Sequence, residues 1–334
     1  MAPPVLTSVA PNTGPAAGTN PVTLNGSQFT GAIAVMFGSA AALSYTVSTP
    51  STITATVPPG SGTVNVTVRT PAGLSNTIAY TYAPTPSLSA IAPNQGPTSG
   101  GTGVVLTGTG LTGATAVTFG STPATSYTVN SATQITAVTP AGTGTVAVTA
   151  TTLGGTSGPV FFSYVNAPSL LSVSPAAGPT SGGTGVVLTG AGLTGATAVT
   201  FGSTPATSYT VDSATRITAV TPPGTGSVAC TVTGPGGTSN SVIYTYLAAP
   251  TLTVLSPAQG PTDAGTSVTL TGTGLSTAFA VRFGSAPAAF TVVSDTTAVA
   301  IAPAGLAGPV PVSVTTSGGT SNSLAYQRVA PPSI

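Results

Sequence analysis

Apolar and polar residues alternate along short segments of the chain, and Gly, Pro, Ser or Asn separate these segments. Val146 and Val148, for example, lie two residues apart between threonines and alanine, so both point to one face of a strand. No segment of helical length carries apolar residues at a period of 3.6. Val, Ile and Thr dominate the segments, as a half-buried pleated surface favours. The pattern predicts an all-β protein built of many short strands.

The pattern recurs four times. A Phe-Gly pair returns every 82 residues, beginning at Phe37, Phe119, Phe201 and Phe283. Residues 96–129 and 178–211 differ at one position only, Thr109 against Ala191. A fixed period of this kind marks a tandem array of one structural unit. We divide the chain into four repeats, with boundaries at residues 1–83, 84–166, 167–248 and 249–334.

Each repeat is predicted to contain seven strands. In repeat 2 they are Ser87–Ile91, Gly103–Thr109, Thr115–Phe119, Ser126–Val129, Gln134–Val138, Thr145–Ala150 and Val160–Val165. Turn signals at intervals of about 8–12 residues are typical of a β-sandwich. Short linkers that contain Pro84, Pro168 or Pro250 join the repeats, and stiff joints of this kind predict an extended rod.

The motifs of the repeat resemble those of the IPT/TIG family of immunoglobulin-like domains. In repeat 3 they are Ser174-Pro175, Gly178-Pro179, Ser181–Thr184, Leu188–Gly190, Val199–Gly202, Ile217–Pro222, Gly236–Ser239 and Tyr244–Tyr246. The resemblance covers nearly the whole chain and implies four early-set immunoglobulin-like β-sandwiches, of the bacterial or phage type. It does not imply one function, since relatives occur in receptors, adhesins, polysaccharide-active enzymes, phage structural proteins and transcription factors.

Charged side chains are almost absent. The 334 residues include four Arg and three Asp, with no Lys, Glu, His or Trp, and the net charge is +1. Charged residues are therefore 2% of the chain, against about 25% in an ordinary soluble domain. Nucleic-acid binding needs clustered cations, and hydrolytic chemistry needs a base or paired carboxylates. We expect a non-enzyme with no catalytic residues, no cofactor, no metal site and no nucleic-acid partner.

The few charged positions do not recur between repeats. At the 82-residue period Asp212 aligns with Asn130, and Asp295 aligns with Ser213. A functional site that was repeated would recur, so these residues are interpreted as surface drift. Asp212 and Arg216 are expected to form a weak surface ion pair.

Two positions of the apolar pattern are exceptional. Cys230 takes the place that Val148 has in repeat 2, so we expect a buried hydrophobic residue, with a reactive or metal-bound thiol as the alternative. Arg328 stands where Tyr246 closes repeat 3. This position is expected to face solvent or a neighbouring repeat.

Three tyrosines are the candidate contact residues. Tyr45, Tyr127 and Tyr209 recur in register and are predicted to be exposed. Two interpretations stay open: the rings stack on a glycan, or they pack a loop.

The absence of any run of 18 apolar residues argues against membrane insertion. No signal peptide is visible at the start of this sequence. Pro332, Ser333 and Ile334 are in register with the start of each earlier repeat, so a fifth repeat would begin there, or this strand start is available for pairing.

Together these features favour a structural or adhesive repeat protein on a cell surface, an extracellular filament or a virion. Its expected partners are itself, another surface protein or a glycan. The alternatives are a glycan-binding accessory array of a larger surface protein and a phage tail or capsid decoration protein. Low charge leaves little repulsion between copies, so self-assembly through edge strands is also expected.

Overall fold

The computed structural model describes residues 2–330, and within that range the regular structure is entirely β-strand. The chain forms two compact units, Met1–Val165 and Asn166–Ile334, each with two repeats. Every repeat contains seven longer strands and three strands of two or three residues. The residues Pro332, Ser333 and Ile334 lie outside the described range.

In the first unit, the strands of repeat 1 are β1 (Val5–Ala10), β2 (Thr13–Pro15), β3 (Pro21–Ser27), β4 (Ala34–Phe37), β5 (Ala40–Ala41), β6 (Ser44–Thr49), β7 (Thr52–Thr56), β8 (Gly62–Thr70), β9 (Gly73–Leu74) and β10 (Ile78–Ala83). Those of repeat 2 are β11 (Ser87–Ala92), β12 (Gln95–Pro97), β13 (Gly103–Thr109), β14 (Ala116–Phe119), β15 (Thr122–Pro123), β16 (Ser126–Ser131), β17 (Gln134–Val138), β18 (Gly144–Thr152), β19 (Gly155–Thr156) and β20 (Val160–Val165).

In the second unit, the strands of repeat 3 are β21 (Ser169–Ser174), β22 (Ala177–Pro179), β23 (Gly185–Ala191), β24 (Ala198–Phe201), β25 (Thr204–Pro205), β26 (Ser208–Ser213), β27 (Arg216–Val220), β28 (Gly226–Gly234), β29 (Gly237–Thr238) and β30 (Val242–Leu247). Those of repeat 4 are β31 (Thr251–Ser256), β32 (Gln259–Pro261), β33 (Ser267–Thr273), β34 (Ala280–Phe283), β35 (Ala286–Ala288), β36 (Phe290–Ser294), β37 (Thr297–Ile301), β38 (Gly308–Thr316), β39 (Gly319–Thr320) and β40 (Leu324–Val329).

Two sheets enclose the core of each repeat. In repeat 1 the first sheet has the order β1-β3-β7-β6, and the second has the order β2-β10-β8-β4-β5 with β9 beside β8. The other three repeats have the same strand order. The prediction of four immunoglobulin-like β-sandwiches is confirmed, and the seven strands predicted for repeat 2 are its seven longer strands.

The beginning of each repeat contributes to both sheets. In repeat 2, β11 pairs with β13 in the first sheet, and β12 pairs in parallel with β20 in the second. The chain crosses between the sheets at the cis peptide bond of Ala92 and Pro93. The alternation of residues does not predict β12, because its pairing partner lies about 70 residues later in the chain.

The core of each sandwich is centred on two aromatic rings in edge-to-face contact. The ring centroids are 5.3 Å apart for Phe37–Tyr80, 5.7 Å for Phe119–Phe162, 5.3 Å for Phe201–Tyr244 and 5.3 Å for Phe283–Tyr326, within the usual range for edge-to-face pairs. All eight rings are at most 3% exposed. The Phe of the recurrent Phe-Gly pair therefore packs against the closing strand of its own sheet, inside the sandwich.

A glycine lies opposite a bulge in the first strand of every repeat. In repeat 3 the register of β21 against β23 shifts between Leu170 and Ser172, opposite Gly190. A Cβ at Gly190 would collide with the carbonyl oxygen of Ser169. Equivalent collisions would occur at Gly26, Gly108 and Gly272. Glycine is therefore required at the end of the Leu188–Gly190 motif, because the backbone of the first strand approaches too closely to leave room for a side chain.

We expect Gly190→Ala to lower the free energy of unfolding of repeat 3 by about 1–3 kcal/mol, because the added methyl group must displace β21. Gly185→Ala is the matched control in the same strand, since a Cβ there meets nothing within 4 Å. Its effect should stay within about 1 kcal/mol and be neutral or stabilising. Denaturant-dependent hydrogen exchange of β21 and β23 measures both. Equal stability of the two variants would contradict the close approach.

Candidate contact surfaces

The three recurrent tyrosines lie in the edge strand of the first sheet. Their rings are half-buried and pack against the core of their own repeat. Each hydroxyl donates a hydrogen bond to a loop carbonyl oxygen: Tyr45 to Ala32 at 3.1 Å, Tyr127 to Ala114 at 3.3 Å and Tyr209 to Ala196 at 3.4 Å. The geometry is that of loop packing, and ligand binding by these residues stays a prediction.

Phe290 takes the tyrosine position in repeat 4. It lies opposite Ala300 in the sheet, just as Tyr209 lies opposite Ala219. The offset between these positions is 81 residues rather than 82, because the connection from β35 to β36 is one residue shorter than that from β25 to β26. The period alone did not reveal this fourth member, which has no hydroxyl group.

The same one-residue shift corrects the alignment of Asp295. Ser294 pairs with Thr297 as Ser213 pairs with Arg216, so the alignment of Asp295 with Ser213 is wrong. Asp295 accepts a hydrogen bond of 2.8 Å from the Ser276 hydroxyl. This bond, with the backbone amides of Gly274 and Ser276, holds the pKa of Asp295 below its usual value.

The expected ion pair between Asp212 and Arg216 is confirmed, with 3.2 Å between Oδ2 and Nε. The Thr218 hydroxyl also donates to the Asp212 carboxylate, at 2.7 Å. In repeat 2 the same three positions hold uncharged residues with matching hydrogen bonds: Asn130, Gln134 and Thr136. Because the cluster forms with or without charge, it supports the strand pair rather than a chemical reaction.

The outer faces of the second sheets are covered with hydroxyl groups. Ser and Thr hydroxyls pair across neighbouring strands: Thr118 with Thr149 at 3.0 Å, Thr145 with Ser163 at 2.8 Å, Thr200 with Thr231 at 2.9 Å and Ser227 with Thr245 at 3.0 Å. Single apolar side chains protrude between them, with Phe161 60% exposed and Ile243 57% exposed. Repeat 2 contains no Lys, Arg, His, Asp or Glu at all.

The position of Arg328 corrects the sequence analysis. The prediction that this position faces solvent or a neighbouring repeat is wrong, because Arg328 is 7% exposed and lies on the inward face of β40. Its Nη2 donates to the carbonyl oxygen of Pro303 at 2.9 Å. Tyrosine hydroxyls make the same bond in two other repeats: Tyr82 to Pro58 at 2.9 Å and Tyr246 to Pro222 at 2.8 Å. The arginine therefore replaces a core tyrosine.

Cys230 is completely buried in the core of repeat 3, as the pattern of valines predicts. Burial raises the pKa of its thiol to about 12, so the reactive thiolate is disfavoured. Among residues 2–330, no three His, Cys, Asp or Glu side chains lie together as metal ligands would. No helix in that range is long and apolar enough to cross a membrane.

Comparison with known domain families accounts for this arrangement. The IPT/TIG domain family matches residues 4–82, 86–164, 168–246 and 250–327. The chain belongs to the IPT/TIG family. The four matched segments correspond to the four sandwiches, so each sandwich is one IPT/TIG domain. No curated protein sequence matches this IPT/TIG chain significantly.

Solved structures resemble this IPT/TIG array only distantly. The extracellular region of plexin A4, domains 1 to 10, is 17% identical over 94% of this chain and 36% of its own, with a TM-score of 0.38. Invasin, a bacterial integrin-binding protein, is 16% identical over 98% of this chain and 79% of its own, with a TM-score of 0.30. SGBP-B from a xyloglucan utilization locus in Bacteroides uniformis is 19% identical over 69% of this chain and 66% of its own, with a TM-score of 0.26.

This IPT/TIG chain spans between a third and a half of the two plexin A4 structures that it matches, 36% and 48%. All these TM-scores are below 0.5. The matches therefore carry no conclusion about domain arrangement, ligand or function.

We expect Cys230 to resist a thiol reagent at pH 8 in the folded protein and to react on unfolding. At pH values below the ordinary thiol pKa of 9.0 the thiol is protonated in both the folded and the unfolded state, and its burial then stabilises repeat 3 fully. As the pH rises from there towards about 12, the unfolded thiol ionises first and this stability is lost. Cys230→Val should remove the part of the fall in unfolding free energy at alkaline pH that comes from ionisation of this thiol. Rapid reaction of Cys230 with the thiol reagent in the native protein would contradict the buried position.

We expect Arg328→Tyr to raise the free energy of unfolding of repeat 4 by about 1–3 kcal/mol. The Arg328 Nε is buried without a hydrogen-bond partner among residues 2–330, and tyrosine removes this penalty while keeping the bond to Pro303. Gly305 lies against Arg328 as Gly224 lies against Tyr246, so the ring of a tyrosine at position 328 has a glycine neighbour, as in repeat 3. Calorimetry of the full chain measures the change. Arg328→Ala is the control and should be destabilising; a tyrosine variant no more stable than wild type would contradict the prediction.

Proposed function

We propose that this IPT/TIG array is a non-enzymatic structural or adhesive protein that acts through protein–protein contacts, including contacts with its own copies. We place it outside the cell, on a cell surface or a filament, or on a virion. The observation that carries the proposal is the neutral, hydroxyl-covered surface with unprotected edge strands, most complete in repeat 2.

The edge strand β16 shows why such a surface can associate. It ends the first sheet of repeat 2, and its six residues, Ser126–Ser131, include no charge and no proline. Soluble proteins commonly use lysine, proline or a covering element to prevent such edges from pairing with another chain. With a net charge of +1 over the whole chain, long-range repulsion between copies is also weak.

The polar groups support contact rather than catalysis. The abundant Ser and Thr hydroxyls bond to one another, and His and Lys, which would activate them, do not occur in the sequence. The carboxylates of Asp212 and Asp295 are bonded within their own repeats. The glycan-binding alternative would use Tyr45, Tyr127 and Tyr209, whose hydroxyls already bond to their own loops.

We expect the purified chain to associate as its concentration rises, and to do so nearly independently of salt because few charges are involved. Thr128→Lys, in the middle of β16, should reduce the association several-fold. Thr145→Lys adds the same charge to β18, an inner strand of the second sheet of repeat 2, and is the matched control. Light scattering and sedimentation velocity measure both variants.

Two results would contradict the proposal. A chain that stays monomeric at the highest soluble concentration excludes association with its own copies. An equal loss of association in Thr145→Lys and Thr128→Lys excludes the edge as the contact and assigns the contact to a sheet face or to net charge.

A further inference from the structure

An asparagine side chain holds the first strand in three of the four repeats. In repeat 1 the Leu6 amide donates to Oδ1 of Asn76 at 2.8 Å, and Nδ2 of Asn76 donates to the Leu6 carbonyl oxygen at 2.9 Å. Two further pairs are joined in the same way: Leu170 with Asn240 and Leu252 with Asn322. This amide clamp satisfies both backbone groups at the bulge, where the regular ladder is interrupted.

Repeat 2 lacks the amide clamp. The equivalent position is Gly158, and no side chain among residues 2–330 bonds to the backbone of Leu88. Besides the backbone ladder with β13, two exposed side-chain contacts hold the strand, a 2.8 Å hydroxyl pair of Ser87 with Thr109 and a 3.1 Å bond from Ser89 to the Thr107 carbonyl. Water competes directly for exposed bonds of this kind.

The apolar contacts of the same strand are also weaker in repeat 2. Leu88 and Ile91 are only half-buried. Their counterparts in the clamped repeats are at most 7% exposed: Leu6, Val9, Leu170, Val173, Leu252 and Leu255. Hydrogen bonding and burial therefore agree that β11 is the first strand held least firmly.

We propose that β11 is a detachable strand, and that the edge of β13 which it uncovers pairs with β11 of a second copy of this chain. The uncovered edge belongs to the one repeat without charged side chains, so nothing electrostatic opposes an incoming strand. The freed strand and the vacated groove are the same in both copies, so reciprocal exchange restores every native contact, including the register of Ser87 opposite Thr109. The exchange step rests on the proposed self-association; the detachment does not.

Detachment is tested by hydrogen exchange of the full chain, read by mass spectrometry. The amides of β11 should exchange about ten-fold or more faster than those of β1, β21 and β31, since two hydrogen bonds are missing. Gly158→Asn should slow β11 to the rate of the clamped strands, because a Cβ at Gly158 meets nothing within 4 Å. Asn240→Gly is the matched reverse variant and should accelerate β21. Equal rates for β11 and β21 in the wild type, or no slowing in Gly158→Asn, would overturn the detachable strand.

Exchange between copies is tested by disulfide trapping in a Cys230→Val background. One chain carries Ser87→Cys, and an isotope-labelled chain carries Thr109→Cys; after mixing and mild oxidation, mass spectrometry counts mixed dimers. The control pair is Thr251→Cys with Thr273→Cys, whose hydroxyls are 2.7 Å apart in the clamped repeat 4. The repeat 2 pair should give several-fold more mixed dimers than the control, and Gly158→Asn should abolish the excess.

Mixed dimers no more abundant than in the repeat 4 control would overturn exchange. If light scattering still shows association in that case, the proposed function stands and another surface makes the contact. If β11 exchanges its amides rapidly while the chain stays monomeric, the detachable strand stands, and both the exchange and the self-association fail.

Discussion

Every repeat depends on the apolar core between its two sheets, where an aromatic ring of the closing strand packs edge to face on the phenylalanine of the Phe-Gly pair, two strands away in the same sheet. No disulfide is possible with a single cysteine, and the structure contains one ion pair among residues 2–330, which is exposed. Burial of apolar side chains around this ring pair therefore supplies most of the stability of each sandwich. A domain of about 80 residues buries a limited area, so single contacts at its margins matter.

The first strand is such a margin. Its bulge brings the backbone against a glycine of the next strand, and an asparagine near the end of the repeat then satisfies the freed amide and carbonyl groups. Repeats 2 and 3 are almost identical between residues 96 and 129 of the one and 178 and 211 of the other, yet they differ in this clamp, Gly158 against Asn240. Near-identical domains thus differ in the hydrogen bonding of their first strand through one residue outside the identical segment.

The neutral surface is compatible with both folding and association. Hydroxyl pairs across neighbouring strands satisfy polar groups without charge, and the cluster at Asp212 has an uncharged counterpart in repeat 2. Such a surface loses the long-range repulsion that keeps ordinary domains apart, while it keeps many short-range donors and acceptors. The role that we propose follows from contact area rather than from any reactive group.

Much of the fold is determined by the sequence itself, because alternation with a period of two and an 82-residue repeat are local signals. They predicted the seven longer strands, the sandwich class, the core position of Cys230 and the ion pair of Asp212. Tertiary structure decided the rest. The three short strands of each repeat have no alternation and exist only because a distant strand pairs with them. The inward orientation of Arg328, the half-buried tyrosines and the Asn76 clamp on Leu6, 70 residues away, depend on contacts between distant segments. Repeat 4 kept its overall period because a shorter connection between β35 and β36 is offset by a longer loop before Gly308, so only strand pairing revealed the one-residue shift at Phe290 and Asp295.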